Sequence, residues 1–324
     1  MEGSAQTRPQ DAPARFVAFM NQKGGVGKTT TTVNLAAAFA RSGRRTLVVD
    51  LDPQAHATLH LGVDPSAISR SVYDALLDPA AGVLGSVVNI APNLDLLPAQ
   101  TDLAGAEIEL AAAPDRNRRL ADALAATGRT HEFILFDCPP SLGLLTLNGL
   151  VAAREVVIPM QAHFLALQGV GKLLETVRLV TSSVNPRLRV TGVVLCVHDT
   201  SSTHTQEVVA DMEAFFDQQR ELDVPWKRAR VLRPAIRRNI KLAECPSFGK
   251  TIFDYAPGAP GAADYRGLAD GMLREWDTML ERRTAAEKPE IVTRVASPAS
   301  GTERPSTREA ASAPTPKESA EVSA

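Results

Sequence analysis

The sequence predicts an α/β fold: a mostly parallel twisted sheet flanked by helices. Three observations predict it. Continuous apolar runs such as Thr46-Leu47-Val48-Val49 and Phe133-Ile134-Leu135-Phe136 suit strands buried on both faces, and such strands need helical crossovers. Strand-like and helix-like segments alternate along most of the chain. Finally, three acids, Asp50, Asp52 and Asp137, stand at or just past strand ends, the side of such a sheet on which ligands bind.

Taken in order, the expected strands are Phe16–Met20, Thr46–Asp50, Leu94–Pro98, Phe133–Asp137, Glu155–Met160 and Arg189–Val197. Helical patterns fall between or after them, at Thr29–Ser42, Asn117–Ala126, Leu142–Ala152, Leu165–Ser183 and Thr205–Arg220. The chain has 324 residues, 44% hydrophobic and 22% charged, an ordinary balance for a globular protein. Residues 1–14 read as a flexible arm without the apolar core of a secretion signal. Residues 285–324 carry no aromatic side chain and too few aliphatics to offset the entropy of ordering, so they read as a disordered Ala/Ser/Thr/Pro-rich tail. The folded domain is then expected over 15–284. Three widely spaced cysteines, Cys138, Cys196 and Cys245, have no metal-type spacing and fit a reducing cytoplasm. No run approaches the ~20 apolar residues of a membrane span.

The most informative segment is KGGVGKTT, Lys23 to Thr30. It follows an apolar strand and opens a helix, which makes a phosphate cradle. The backbone of Lys23, Gly24, Gly25, Val26, Gly27, Lys28, Thr29 and Thr30 would wrap phosphate oxygens, Lys28 would reach the β- and γ-phosphates, and Thr29 would ligate Mg²⁺. Where such loops usually begin with glycine, this chain has Gln22, and a second lysine, Lys23, opens the loop. Asp137 closes the apolar run FILFD and suits a residue that holds Mg²⁺ through water. Asp52 in VVDLDPQ could orient a water against the γ-phosphate, and Asp50 is expected closer to the Mg²⁺ shell.

The segments KGGVGKTT, VVDLDPQAHAT, FILFDCPPSLG and IRRNIKLAECPSFGKTIFDYAPGAPGAADYRGLA together resemble the ParA family of partition ATPases, in the deviant Walker class that also includes MinD. The resemblance implies a cytoplasmic, nucleoid-associated ATPase that uses ATP and Mg²⁺ and forms an ATP-sandwich homodimer. It implies that Lys23 reaches the partner's nucleotide and that Asp52 positions the hydrolytic water. It also implies binding to nonspecific DNA, released when a ParB-like or adaptor protein stimulates hydrolysis, in chromosome or plasmid partition. Relatives that position protein cargo on the nucleoid share these motifs. A MinD-like membrane cycle would need an amphipathic basic helix, and the final residues PTPKESAEVSA lack an apolar stripe. An ATP-dependent amide ligase or iron–sulfur carrier is a third alternative, for which paired cysteines with cluster spacing are absent.

A formal net charge of −2 gives no global attraction to nucleic acid, so any attraction must be local. Residues 227–241 supply it, with Lys227, Arg228, Arg230, Arg233, Arg237, Arg238 and Lys241 and no acid. Such a run binds phosphates by releasing counterions, and a dimer doubles it. Arg233, Arg237, Arg238 and Lys241 are the expected DNA contacts. Arg238 falls on the arginine that family members use, in a segment usually written IPRN and here IRRN, with Arg237 in place of the proline. Two further departures stand out: Ser201 where many relatives have a DNA-binding arginine, and His163 where they often carry an acid.

Overall fold

In the computed structural model the described residues are 13–163, 166–199 and 202–287. Most of the expected arm, most of the expected tail, and Ser201 lie outside them. Of the described residues, those up to Arg282 make one compact unit.

This unit is built on one sheet. Its chain order is β1 (Arg15–Phe19), α1 (Lys28–Arg41), β2 (Thr46–Asp50), α2 (His56–His60), α3 (Val72–Leu77), β3 (Val88–Ala91), β4 (Leu94–Leu97), α4 (Leu103–Glu109) and α5 (Arg119–Ala123). There follow β5 (Phe133–Asp137), α6 (Leu144–Ala152), β6 (Glu155–Met160), α7 (Ala166–Ser183), β7 (Arg189–Leu195), α8 (Thr203–Gln218) and β8 (Arg230–Leu232). The described chain closes with α9 (Ile240–Glu244), α10 (Ile252–Tyr255) and the long α11 (Pro260–Glu287). Strand order is β3-β4-β2-β5-β1-β6-β7-β8. Every pairing is parallel except β3 with β4 at one edge.

The central strands carry apolar side chains on both faces, as their sequence demands. In β5, Phe133 and Leu135 face one core, and Ile134 and Phe136 face the other. One core is closed by α6, α7 and α8 through residues such as Leu150, Leu173 and Met212. The other is closed by α1 and α11 through Phe39, Tyr265, Leu268, Met272 and Trp276. Strands β2, β5 and β6 run as expected, whereas β1 is shifted back by one residue and β4 and β7 end one and two residues early. The edge strands β3 and β8, the short helices α2, α3, α4, α9 and α10, and the long helix α11 were not among the expected elements. β8 lies inside the basic run, where charged residues hide a three-residue strand.

Candidate functional site

The site forms where β1, β2 and β5 end on the same side of the sheet. Between β1 and α1 the loop turns sharply, with Gly25 at φ 70° and Gly27 at φ 96°, a region open to glycine at no steric cost. A Cβ on Gly24 or Gly25 would meet nothing within 4 Å, so both face open space. Gly27 is the N-cap of α1 and has no side-chain cap. The helix therefore presents its free N–H groups and partial positive charge to this space, as an anion site requires.

Lys28 lies on the first turn of α1 and is 8% exposed. Burial holds its ammonium below the ordinary lysine value, while Asp137 and Asp52 pull it back up. Its ammonium donates to the Lys23 carbonyl at 3.4 Å. Thr29 Oγ1 donates to Asp137 Oδ2 at 2.7 Å, and Thr32 Oγ1, one turn on, donates to Oδ1 at 3.3 Å. Asp50 and Asp137 are register partners on adjacent strands. Burial raises both carboxyls, Asp50 to about 6 and Asp137 to about 8, and the charge of Asp50 adds to the rise at Asp137.

Both oxygens of Asp50 are engaged. Oδ1 accepts from the Asp52 amide at 3.1 Å, and Oδ2 accepts from the amide and hydroxyl of Thr58 at 2.9 and 2.8 Å. Asp50 thus fixes the turn that carries Asp52. Asp52 is 8% exposed, accepts from the Gln54 amide at 3.0 Å, and lines the same cleft as the loop.

That cleft has a volume of about 1300 Å³. It brings together Gly24, Gly25, Gly27, Lys28, Thr29, Thr30 and Asp52 with Arg237 and Arg238 from the basic run. It does not include Lys23, Val26, Asp50, Asp137, Arg233 or Lys241. Val26 is buried. Lys23 is exposed and turned away, its ammonium 2.9 Å from His163 Nε2. The charge of Lys23, after burial, holds the His163 imidazole below its ordinary value.

Five of the seven cations of residues 227–241 are ion-paired. Lys227 meets Asp223, Arg230 meets Glu275, Arg233 meets Glu213 at 2.7 Å, Arg237 meets Asp264 at 2.8 Å and Lys241 meets Glu244 at 2.8 Å. Among the described residues, Arg238 and Arg228 have no acidic partner.

Sequence reasoning missed Thr58, Thr32 and Tyr265. Thr32 is three residues after Thr29, a spacing that puts both on one helix face. Tyr265 lines the cleft and opens an apolar stripe at 265, 268, 269, 272, 273 and 276, a helical period readable from sequence. No sequence signal marks Thr58 as the partner of Asp50.

The residues present suit a magnesium nucleotide. A strand-end carboxylate and a helix hydroxyl stand together beside an open cradle and a buried lysine. No group of three or more His, Cys, Asp or Glu side chains able to hold a metal alone occurs among the described residues. A cation there would draw its remaining ligands from phosphate and water, as Mg²⁺ commonly does.

Comparison with known proteins agrees with this geometry. The AAA domain family model matches residues 14–190. The sporulation initiation inhibitor protein Soj of Bacillus subtilis is 43% identical over 79% of this chain and 96% of its own. The chromosome-partitioning ATPase Soj of Thermus thermophilus is 45% identical over 81% of this chain and 96% of its own. A crystal structure from Mycobacterium smegmatis, described as cobyrinic acid a,c-diamide synthase with bound ATP analogue and magnesium, superposes with a TM-score of 0.66. It is 38% identical and covers 82% of this chain and 96% of its own.

Proposed function

The chain belongs to the Soj/ParA family of chromosome-partitioning ATPases, and from that premise we propose that it is an ATP-driven dimer switch that binds nonspecific DNA. The observation that carries this reading is the cleft itself. One cavity holds the phosphate loop, the water-orienting acid and an arginine without an acidic partner.

In this cycle ATP lies in the cradle of residues 23–30. Lys28 and the loop amides bind its phosphates, and Thr29 and Asp137 would hold Mg²⁺, Asp137 through water. The cation supplies neutralisation of charge on the phosphates as they separate. Asp52 orients the attacking water and accepts its proton, and Asp50 acts on it by fixing the turn between β2 and α2. Lys23, held outside its own cleft, serves the nucleotide of a second copy. Residues 15–284 carry the cycle. DNA is met first by Arg238, with Arg233 and Lys241 beside it. A ParB-like or adaptor protein stimulates hydrolysis and release, placing the protein in the cytoplasm on the nucleoid. No helix among the described residues is long and apolar enough to cross a membrane.

A second reading takes its activity from the Mycobacterium smegmatis neighbour, an ATP-dependent amide synthesis. Amide transfer through a cysteine would need a nucleophilic thiolate. All three cysteines here are buried, and burial pushes their thiols up, Cys196 and Cys245 to about 11 and Cys138 higher still. That environment favours the partition reading.

The test is binding of the full chain to random-sequence duplex DNA with ATP, ADP or no nucleotide, across a salt series. ATP-dependent binding that weakens steeply with salt is expected. In the Asp52→Ala variant, ATP should hold the protein on DNA with turnover lost. Binding that ignores nucleotide, or normal turnover in that variant, would overturn the proposal.

A further inference from the structure

Arg237 and Asp264 are 27 residues apart in sequence and meet through four hydrogen bonds. Arg237 Nε donates to both carboxylate oxygens at 3.1 Å, Nη2 donates to Oδ1 at 2.8 Å, and the backbone N–H of Arg237 donates to Oδ2 at 3.0 Å. The Asp264 side chain is 7% exposed and that of Arg237 is 49% exposed. A carboxylate so buried needs its partner, because loss of the cation would leave an uncompensated charge. The contact is also built into the backbone. His198 and Arg237 form a parallel bridge, the Arg238 amide donates to the His198 carbonyl at 3.3 Å, and Asn239 caps α9 by accepting from Lys241 N at 2.9 Å. Arg238 therefore sits between two anchored residues. On α11 the next residue, Tyr265, lies 3.1 Å from Thr31 Oγ1 in the phosphate-loop helix.

We propose that Asp264 is a positioning residue for the arginine segment: it fixes Arg237 as an internal strut, so that Arg238 is the cation presented to DNA phosphate. A side-chain fork thus fixes the segment from outside. Because α11 also touches α1 through Tyr265, the strut ties the arginine segment to the helix that begins at the phosphates. This rests on the DNA-binding reading above for its consequence, though the strut itself does not.

The experiment compares wild type, Asp264→Asn, Arg237→Lys and the double variant, each as the full chain with ATP on random-sequence duplex across a salt series. Lysine keeps the charge and loses the planar fork, so it separates strut from phosphate contact and spares the fold. Each single variant is expected to bind DNA about tenfold more weakly, the size expected when a charged hydrogen bond is lost. The double variant should be no worse than either single one. The slope of log K against log salt should be unchanged, and so should ATP affinity. If Arg237 instead contacts phosphate and Asp264 merely masks it, Asp264→Asn will bind tighter with a slope steeper by about 0.9 per contact, and Arg237→Lys will bind like wild type. Either result overturns the strut. Wild type that binds no duplex in any nucleotide state would overturn the partition reading instead. The strut is then judged by hydrogen exchange: Asp264→Asn should speed exchange at the Arg237 amide about tenfold and leave β5 amides unchanged, and an unchanged Arg237 rate would refute it.

Discussion

Asp50 and Asp137 show what a register pairing does to two carboxyls. They end neighbouring parallel strands side by side, both buried, so two negative charges cannot coexist there cheaply. An acid whose folded value is raised holds its proton more tightly when folded than when unfolded. Raising the pH through the folded values then removes stability, at up to about 1.4 kcal/mol per pH unit for one retained proton. His60 is held neutral at about 4 by burial and acts in the opposite direction, but only below its unfolded value near 6.5. Above that value the carboxyl pair acts without the histidine, opposed by Lys28, whose lowered value adds stability as pH rises. The nucleotide-free protein should lose stability from pH 6.5 to pH 8, and Asp137→Asn should flatten that slope. Urea unfolding across the window measures it, and a flat wild-type profile would mean that the pair retains no proton. At this scale the sequence was legible wherever both partners lay in short motifs, as for Thr29 and Asp137. The contacts of Lys23 with His163 and of Arg237 with Asp264 were not legible, because no spacing or motif marks those side chains as partners.

Elements were legible in proportion to how fully they are buried. β2, β5 and β6 are apolar runs with sharp ends, and their limits follow from composition. β3 is half exposed at a sheet edge, and β8 has three residues beginning with an arginine. Neither offers the alternation or length that marks a strand. α11 is a different case, since its stripe from Tyr265 to Trp276 was there to be read. Trp276 anchors it: the residue is 5% exposed, its indole N–H donates to Glu132 at 3.2 Å, and its ring meets Phe133 and lies under Arg15. Trp276→Ala should therefore destabilise the protein by about 3–5 kcal/mol, measured by denaturant unfolding. A loss below about 1 kcal/mol would show that α11 adds little to the core beneath β1 and β5. That result would also weaken the strut, which depends on α11 as a rigid support.

For the whole molecule the decisive feature is what one copy lacks. Its cleft holds Lys28 but not Lys23, whose ammonium is spent on His163 outside. A single subunit thus has one lysine in the cleft and carries a second on its surface. In a two-fold dimer each surface lysine can meet the other copy's nucleotide, since the same patch is used twice. Subunit mixing separates this arrangement from one in which Lys23 swings into its own cleft. Lys28→Ala should abolish nucleotide binding in its own subunit but still offer Lys23 to a partner. Lys23→Ala should bind ATP but offer nothing across the interface. Each variant alone should be inactive. Mixed in equal amounts, they can form heterodimers holding one complete composite site, so ATPase activity should return, up to roughly a quarter of the wild-type level if all pairings form equally. If Lys23 served its own subunit, no complete site would exist in any pairing and the mixture would remain inactive.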